Sequence, residues 1–133
     1  MRDTLGLLAL LAAFGALGAI GRYAASGWMA QWWGAGFPYG TLVVNVVGCF
    51  LLGVVVHLGL ATTGVLSGTM RTALGIGLLG SFTTFSTFGY ETIRYLEEGA
   101  RFLAFANVAA NLLLGLVAVW AGVALARAMW GGA

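Results

Sequence analysis

Gly80-Ser81-Phe82-Thr83-Thr84-Phe85-Ser86-Thr87-Phe88 sets five hydroxyl-bearing side chains and three phenylalanines inside a stretch that otherwise reads as a membrane-spanning helix. Hydrocarbon tolerates polar groups and irregular backbone only where protein buries them or where they line a passage. Neither metal ligands nor a catalytic base stand beside them in the sequence. Such a segment suits the passage of something small better than it suits chemistry. It is a candidate permeation route.

Composition puts the segment in a membrane. Of 133 residues, 61% are hydrophobic and 8% are charged, where a soluble domain of this size carries about 25% charged residues. Long apolar runs without a linker give one polytopic membrane domain over residues 1–133. A net charge of +2 is too small to argue for nucleic acid. The lack of a nucleophile–base pair, metal cluster or nucleotide loop makes an enzyme the least favoured class. Cys49 is the single cysteine, so it forms no intrachain disulfide and is most simply a small packing residue. Arg2 before the apolar run 5–20 imitates a signal peptide, but Asp3 weakens the positive flank. No clear cleavage context precedes Arg22, so a retained first span is expected.

A hydrocarbon core of roughly 30 Å needs about 20 apolar residues as a helix. Four stretches qualify: 4–28, 39–60, 72–93 and 102–129. Pro38 opens the second, where a proline at the first helical position is well tolerated. Gly64, Ser67 and Gly68 mark the turn before the third, and Glu97-Glu98-Gly99 closes the hairpin before the fourth. Trp28, Trp32 and Trp33 cluster between the first two spans, at headgroup level. Four spans place both termini on one side, with Arg2, Arg71 and Arg127 there and Arg22, Arg94 and Arg101 opposite. A tie of three against three suits insertion in both orientations and an antiparallel dimer. Six arginines being too few to orient the chain is the plainer account. Glycine pairs such as Gly18 with Gly21, Gly77 with Gly80 and Gly115 with Gly122 suit close helix approach and oligomerisation.

The spans hold polar groups of one kind. Asn45 lies mid-way along the second, with Thr41 one turn before it on the same face. Its amide supplies two donors that can face an anion; taken alone, an interhelical hydrogen bond worth about 0.6–2 kcal/mol is the simpler account. Asn107 and Asn111 share one face of the fourth span, continued by Gly115. In the third, a helical reading puts Ser81, Thr84 and Phe88 on one face, with Phe85 adjoining. Donors without a fixed mid-span acid favour an anion or a neutral solute over a cation. Phe85 and Phe88 can present neighbouring ring edges, the positive part of the aromatic quadrupole, although packing is the default role of such a pair. Arg22, one turn beyond Gly18, can snorkel, hold a helix end or attract anions. Glu91, one turn after Phe88, fits an ion pair with Arg22 or Arg94, or, more sharply, proton coupling. His57, among Val and Leu, reads as interfacial.

Three stretches together resemble the CrcB/Fluc family of microbial fluoride channels, in order and at the right length. They are Gly15-Ala16-Leu17-Gly18-Ala19-Ile20-Gly21-Arg22-Tyr23, the run Gly40 to Phe50 around Asn45 and Gly48, and the Thr-Thr-Phe-Ser-Thr-Phe core at 83–88. The resemblance implies an all-α membrane protein with four transmembrane helices and a broken third. It implies an antiparallel, dual-topology homodimer in the cell membrane, with two fluoride pores and a structural sodium ion at its centre. By motif position Phe85 and Phe88 are the expected ring pair and Asn45 the pore asparagine, with Thr41 in the same polar file. Ser86 and Thr87 belong to the track beyond the rings. Gly80 and Thr83 are the expected carbonyl ligands of sodium, and Arg22 and Glu91 match the family's arginine and acid. Ser81 replaces a second glycine, and Asn107 and Asn111 stand where the family's fourth helix has Tyr and Ser. Fluoride holds water tightly, so a pore must replace that shell with donors while its width rejects chloride. Unwound mid-membrane carbonyls suit sodium. The competing class is a small dual-topology multidrug/proton antiporter, which needs a membrane-embedded carboxylate; Glu91, toward the end of the third span, is the nearest.

Overall fold

Gly34 and Pro38 punctuate the first connection. Gly34 takes φ 75°, a left-handed value that glycine adopts without Cβ penalty, and donates its N–H to the Ala30 carbonyl at 3.0 Å. The Pro38 carbonyl receives the N–H of Leu42 at 3.0 Å and starts the next helix. In this computed structural model, which describes residues 2–60 and 66–130, those signals bound α1 (Arg2–Trp33) and α2 (Tyr39–Leu60). The chain continues through α3 (Gly68–Thr72), a π-helical segment (Ala73–Leu79), α4 (Gly80–Phe82), α5 (Phe85–Glu97) and α6 (Arg101–Trp130). The described residues contain no strand.

Among the described residues, three helices are long and apolar enough to cross a membrane: Thr4–Trp33, Tyr39–Gly59 and Arg101–Trp130. The remaining predicted span, 72–93, is not one helix. Its helical path starts earlier, at Gly68, where Ser67 Oγ accepts the Met70 N–H at 3.2 Å as an N-cap. It stops at Phe82 and restarts at Phe85. Gly64, expected in the turn before it, lies outside the described residues. The first helix also outruns its predicted end at 28: residues 29–33 carry no breaker, so Trp28, Trp32 and Trp33 occupy its last turns, exposed, rather than a connection. Glu98 and Gly99 do close the last hairpin. Gly99 has φ 75°, and the N–H groups of Gly99 and Ala100 return to the carbonyls of Leu96 and Tyr95 at 3.1 and 2.8 Å, a Schellman stop.

Close backbone approach holds the bundle together. A Cβ on Gly53 would collide with the Val119 carbonyl and one on Gly122 with the Phe50 carbonyl, so α2 and α6 pack nearly backbone to backbone. A Cβ on Gly18 would likewise strike the Leu78 carbonyl, seating α1 on the π segment. These glycine contacts lie within one chain. Among the described side chains the enclosed set is small and mixed: Val44, Ala73, Leu79, Tyr95, Ala104 and Ala126 with the polar Thr41, Thr84 and Asn107. Leu17, Ile20, Leu113, Leu116, Trp120 and many like them face outward. This is the pattern of a protein solvated by lipid, and the chain is a multi-pass membrane protein.

Candidate permeation site

The site is organised by the interruption between α4 and α5. Thr83 (φ −81°, ψ 159°) and Thr84 (φ −149°, ψ 112°) are extended, so two residues leave the helical ladder in mid-span. Free backbone groups there must find partners. The Thr84 N–H, which a continuous helix would give to the Gly80 carbonyl, donates instead to Asn45 Oδ1 at 2.8 Å. Asn45 Nδ2 returns a bond to the Thr84 carbonyl at 3.2 Å. One amide from α2 therefore satisfies both backbone groups of a residue that is 6% exposed. The Thr84 hydroxyl then caps α5, accepting the Thr87 N–H at 3.2 Å and donating to Thr87 Oγ1 at 2.9 Å, with Ser86 Oγ 3.3 Å away.

Phe85 and Phe88 stand on the first turn of α5. Their ring centroids are 5.4 Å apart with planes inclined at 52°. They wall a cavity of about 390 Å³ together with Asn45, Cys49, Val108, Asn111 and Leu112. Phe85 is 83% exposed, so this cavity is open along one flank of the chain. Its end at the α5 N-terminus carries the positive pole of the helix dipole. Cys49, predicted as packing, does meet Gly115, but its side also lines this cavity.

Behind Asn45 lie the other two asparagines. Asn45 Nδ2 donates to Asn111 Oδ1 at 2.9 Å, and Asn111 Nδ2 to the carbonyl and Oδ1 of Asn107 at 3.0 and 2.9 Å. Asn107, 0% exposed, donates to Thr92 Oγ1 at 2.9 Å. Both amide hydrogens of Asn45 thus rest on protein oxygens. Thr92 was not singled out in the sequence, although it follows Phe88 by one helical turn.

A second, more polar cavity of about 260 Å³ lies one turn further along, lined by Thr41, Thr87, Glu91, Arg94 and Tyr95 among others. Thr41 Oγ1 donates to Glu91 Oε1 at 2.8 Å, and Glu91 Oε2 is enclosed without a hydrogen-bond partner among the described residues. The ion pair expected for Glu91 is not formed. Arg94 pairs with Glu98 at 3.5 Å, and Arg22 Nη1 reaches the Thr83 carbonyl at 3.4 Å. Glu91 points at Thr41 because both belong to this second cavity, whereas Arg22 is drawn to a carbonyl freed by the interruption. His57 stands in the last turn of α2, at the end of that span, and its Nε2 is enclosed with no hydrogen-bond partner among the described residues.

The expectation that Ser81, Thr84 and Phe88 share one face also fails. Helical periodicity does not run through an extended pair. Ser81 lies against Gly15 and Gly18 of α1, while Thr84 is tied to α2. Asn45, Asn111 and Asn107 are brought into one hydrogen-bonded file beside the two rings, Ser86 and Thr87 gather on the Thr84 hydroxyl, and Thr41 faces Glu91 in the second cavity.

Known proteins share this sequence over most of its length. Residues 9–123 match the family described as "CrcB-like protein, Camphor Resistance (CrcB)". Among similar proteins that carry the name "Fluoride-specific ion channel FluC" are the following two. The protein of Geobacter metallireducens is 49% identical over 106 residues, 80% of this chain and 85% of its own. That of Trichlorobacter lovleyi is 45% identical over 108 residues, 81% of this chain and 86% of its own. A match from the first helix into the last, at these identities, leaves one conclusion: the chain belongs to the CrcB-like family.

Proposed function

We propose that this protein is a fluoride-selective channel that lets fluoride leave the cytoplasm passively through the cell membrane. The cavity walled by Phe85 and Phe88 at the capped N-terminus of α5 carries this reading. A small anion there meets two ring edges, the positive end of a helix and a neutral polar file, with no fixed acid in the same cavity. Asn45, Phe85 and Phe88 form the narrow part. Thr41, Ser86 and Thr87 form the approach, and Asn107 and Asn111 stand behind Asn45 and back its amide. Width at the rings rejects chloride, and short polar steps replace the fluoride hydration shell.

In this reading the stretch from Gly68 to Glu97 is a fourth, interrupted crossing, and two chains pair antiparallel. The open flank supports that arrangement, because the cavity beside Phe85 needs a further wall to exclude lipid. The dimer axis would pass the interruption, where Gly80 is exposed and its carbonyl has lost the Thr84 N–H to Asn45. The carbonyls of Gly80 and Thr83 are hard oxygen donors of the kind that hold a sodium ion, which would supply fixed positive charge to favour anion entry. Arg22, already on the Thr83 carbonyl, would add charge of the same sign.

Purified protein in liposomes loaded with fluoride should release it to a fluoride electrode, with chloride retained. Equal passage of the two halides rejects the proposal. A proton-coupled multidrug exporter would draw on the enclosed Glu91, but that carboxylate faces the second cavity rather than the one at the rings. Fluoride release that proceeds without an imposed pH gradient separates the two.

A further inference from the structure

The chain contains three asparagines, Asn45, Asn107 and Asn111, and all three join one hydrogen-bonded file. It starts at the Thr84 N–H and passes through Asn45, Asn111, Asn107 and Thr92 to the Phe88 carbonyl, in steps of 2.8, 2.9, 2.9, 2.9 and 2.8 Å. An amide can be turned end for end, so the sense of such a file is normally a matter of assignment. Here the backbone removes the choice. The Thr84 N–H can only donate, so Asn45 must meet it with oxygen. The Asn107 and Phe88 carbonyls can only accept, so Asn111 and Asn107 turn their nitrogens to them, at 3.0 and 3.5 Å. Both hydrogens of Asn111 are committed to Asn107. Asn107 is wholly enclosed.

We infer that Asn107 and Asn111 are positioning residues for permeation, which aim the Asn45 amide and hold the turn of α5 that carries Phe88. They do not give hydrogens to the permeating ion. The file joins α2, α6 and α5 and brackets the first turn of α5, from the amide of Thr84 at its N-cap to the carbonyl of Phe88. Shortening any amide cuts it, while a donor that serves the ion directly could be replaced by any donor of similar reach. The transport consequence rests on the fluoride reading above; the file itself does not.

The test begins with protein labelled with 15N-asparagine, which gives three side-chain amide pairs, each assigned by its own substitution. Asn111→Ser keeps a hydroxyl donor but is too short to bridge Asn45 and Asn107. The Asn45 amide signals should then shift and exchange faster, and fluoride flux should fall at least about tenfold with a lower fluoride-to-chloride ratio. Unchanged Asn45 signals and unchanged flux in Asn111→Ser overturn the inference. Asn107→Ser, read through the Asn111 amide, gives the same decision if the first variant does not fold. In a cycle of Asn45→Ala and Asn111→Ala, the double variant should be no slower than Asn45→Ala alone; multiplying losses overturn the inference. Wild-type vesicles impermeable to fluoride would defeat the channel reading, while the amide signals would still decide whether the file exists.

Discussion

Replacing Asn45 by leucine keeps the branched outline of four heavy atoms and removes both bonds that the interrupted span depends on. The Thr84 N–H and carbonyl, now met at 2.8 and 3.2 Å, would be left bare in a site only 6% exposed. Each orphaned buried group costs about 1–3 kcal/mol, which gives roughly 2–6 kcal/mol for the pair. Two effects reduce that figure. The unfolded reference in a membrane stays helical, so polar pairs there average only about 0.6 kcal/mol. The Thr84 N–H can also return to the Gly80 carbonyl if α4 and α5 rejoin. Rejoining straightens the span and pulls Phe85 and Phe88 off the cavity, so it cannot recover everything. A net loss of about 2–4 kcal/mol follows. Reversible unfolding in mixed micelles, followed by the fluorescence of the five tryptophans, measures it. A loss below about 0.5 kcal/mol, the ordinary range of surface substitutions, refutes the assignment of Asn45 as the partner of the interruption.

Phe85→Ala should lower fluoride flux at least about tenfold while leaving thermal stability nearly unchanged, because a side chain 83% exposed contributes little to packing within the chain; vesicle efflux and melting in detergent read the two effects separately. Gly122→Ala forces α6 from the Phe50 carbonyl and should cost about 1–3 kcal/mol in the same micelle unfolding experiment, a typical overpacking penalty. Gly99→Ala places a Cβ at φ 75° and should cost about 1 kcal/mol. No neighbour crowds Gly99, so that loss should appear in stability and leave efflux unchanged.

Much of the site was legible because membrane helices announce their exceptions. Asn45, Asn107, Asn111 and the hydroxyl run at 83–87 stood out against apolar surroundings, and the structure gathers them beside Phe85 and Phe88. What the sequence hid was direction. A helical wheel drawn through Ser81 and Phe88 assumes unbroken periodicity, and two extended threonines between them turn Ser81 toward α1 and Thr84 toward α2. Thr92 escaped notice because a threonine in a helix commonly bonds its own backbone, as this one does to Phe88; only the approach of α6 gives it a second partner. Glycine-rich seams were visible, but which glycine meets which carbonyl depends on pairings between distant helices. The end of α1 lies beyond the apolar boundary at residue 28 because hydropathy fades before backbone preference does, and Gly34 stops the helix.

The wide turn at Ala73–Leu79 has its own consequence. A π turn holds one residue more than an α turn, so every position beyond it is rotated by roughly 100° relative to an unbroken spiral. That single surplus residue sets the azimuth at which α4 delivers Thr83 and Thr84 to the neighbouring helices. Removing one residue from the segment would tighten the coil and swing the interruption away from Asn45. The surplus residue acts as a spacer, so the segment is constrained in length as well as in the small residues, such as Gly77, by which it packs on α1.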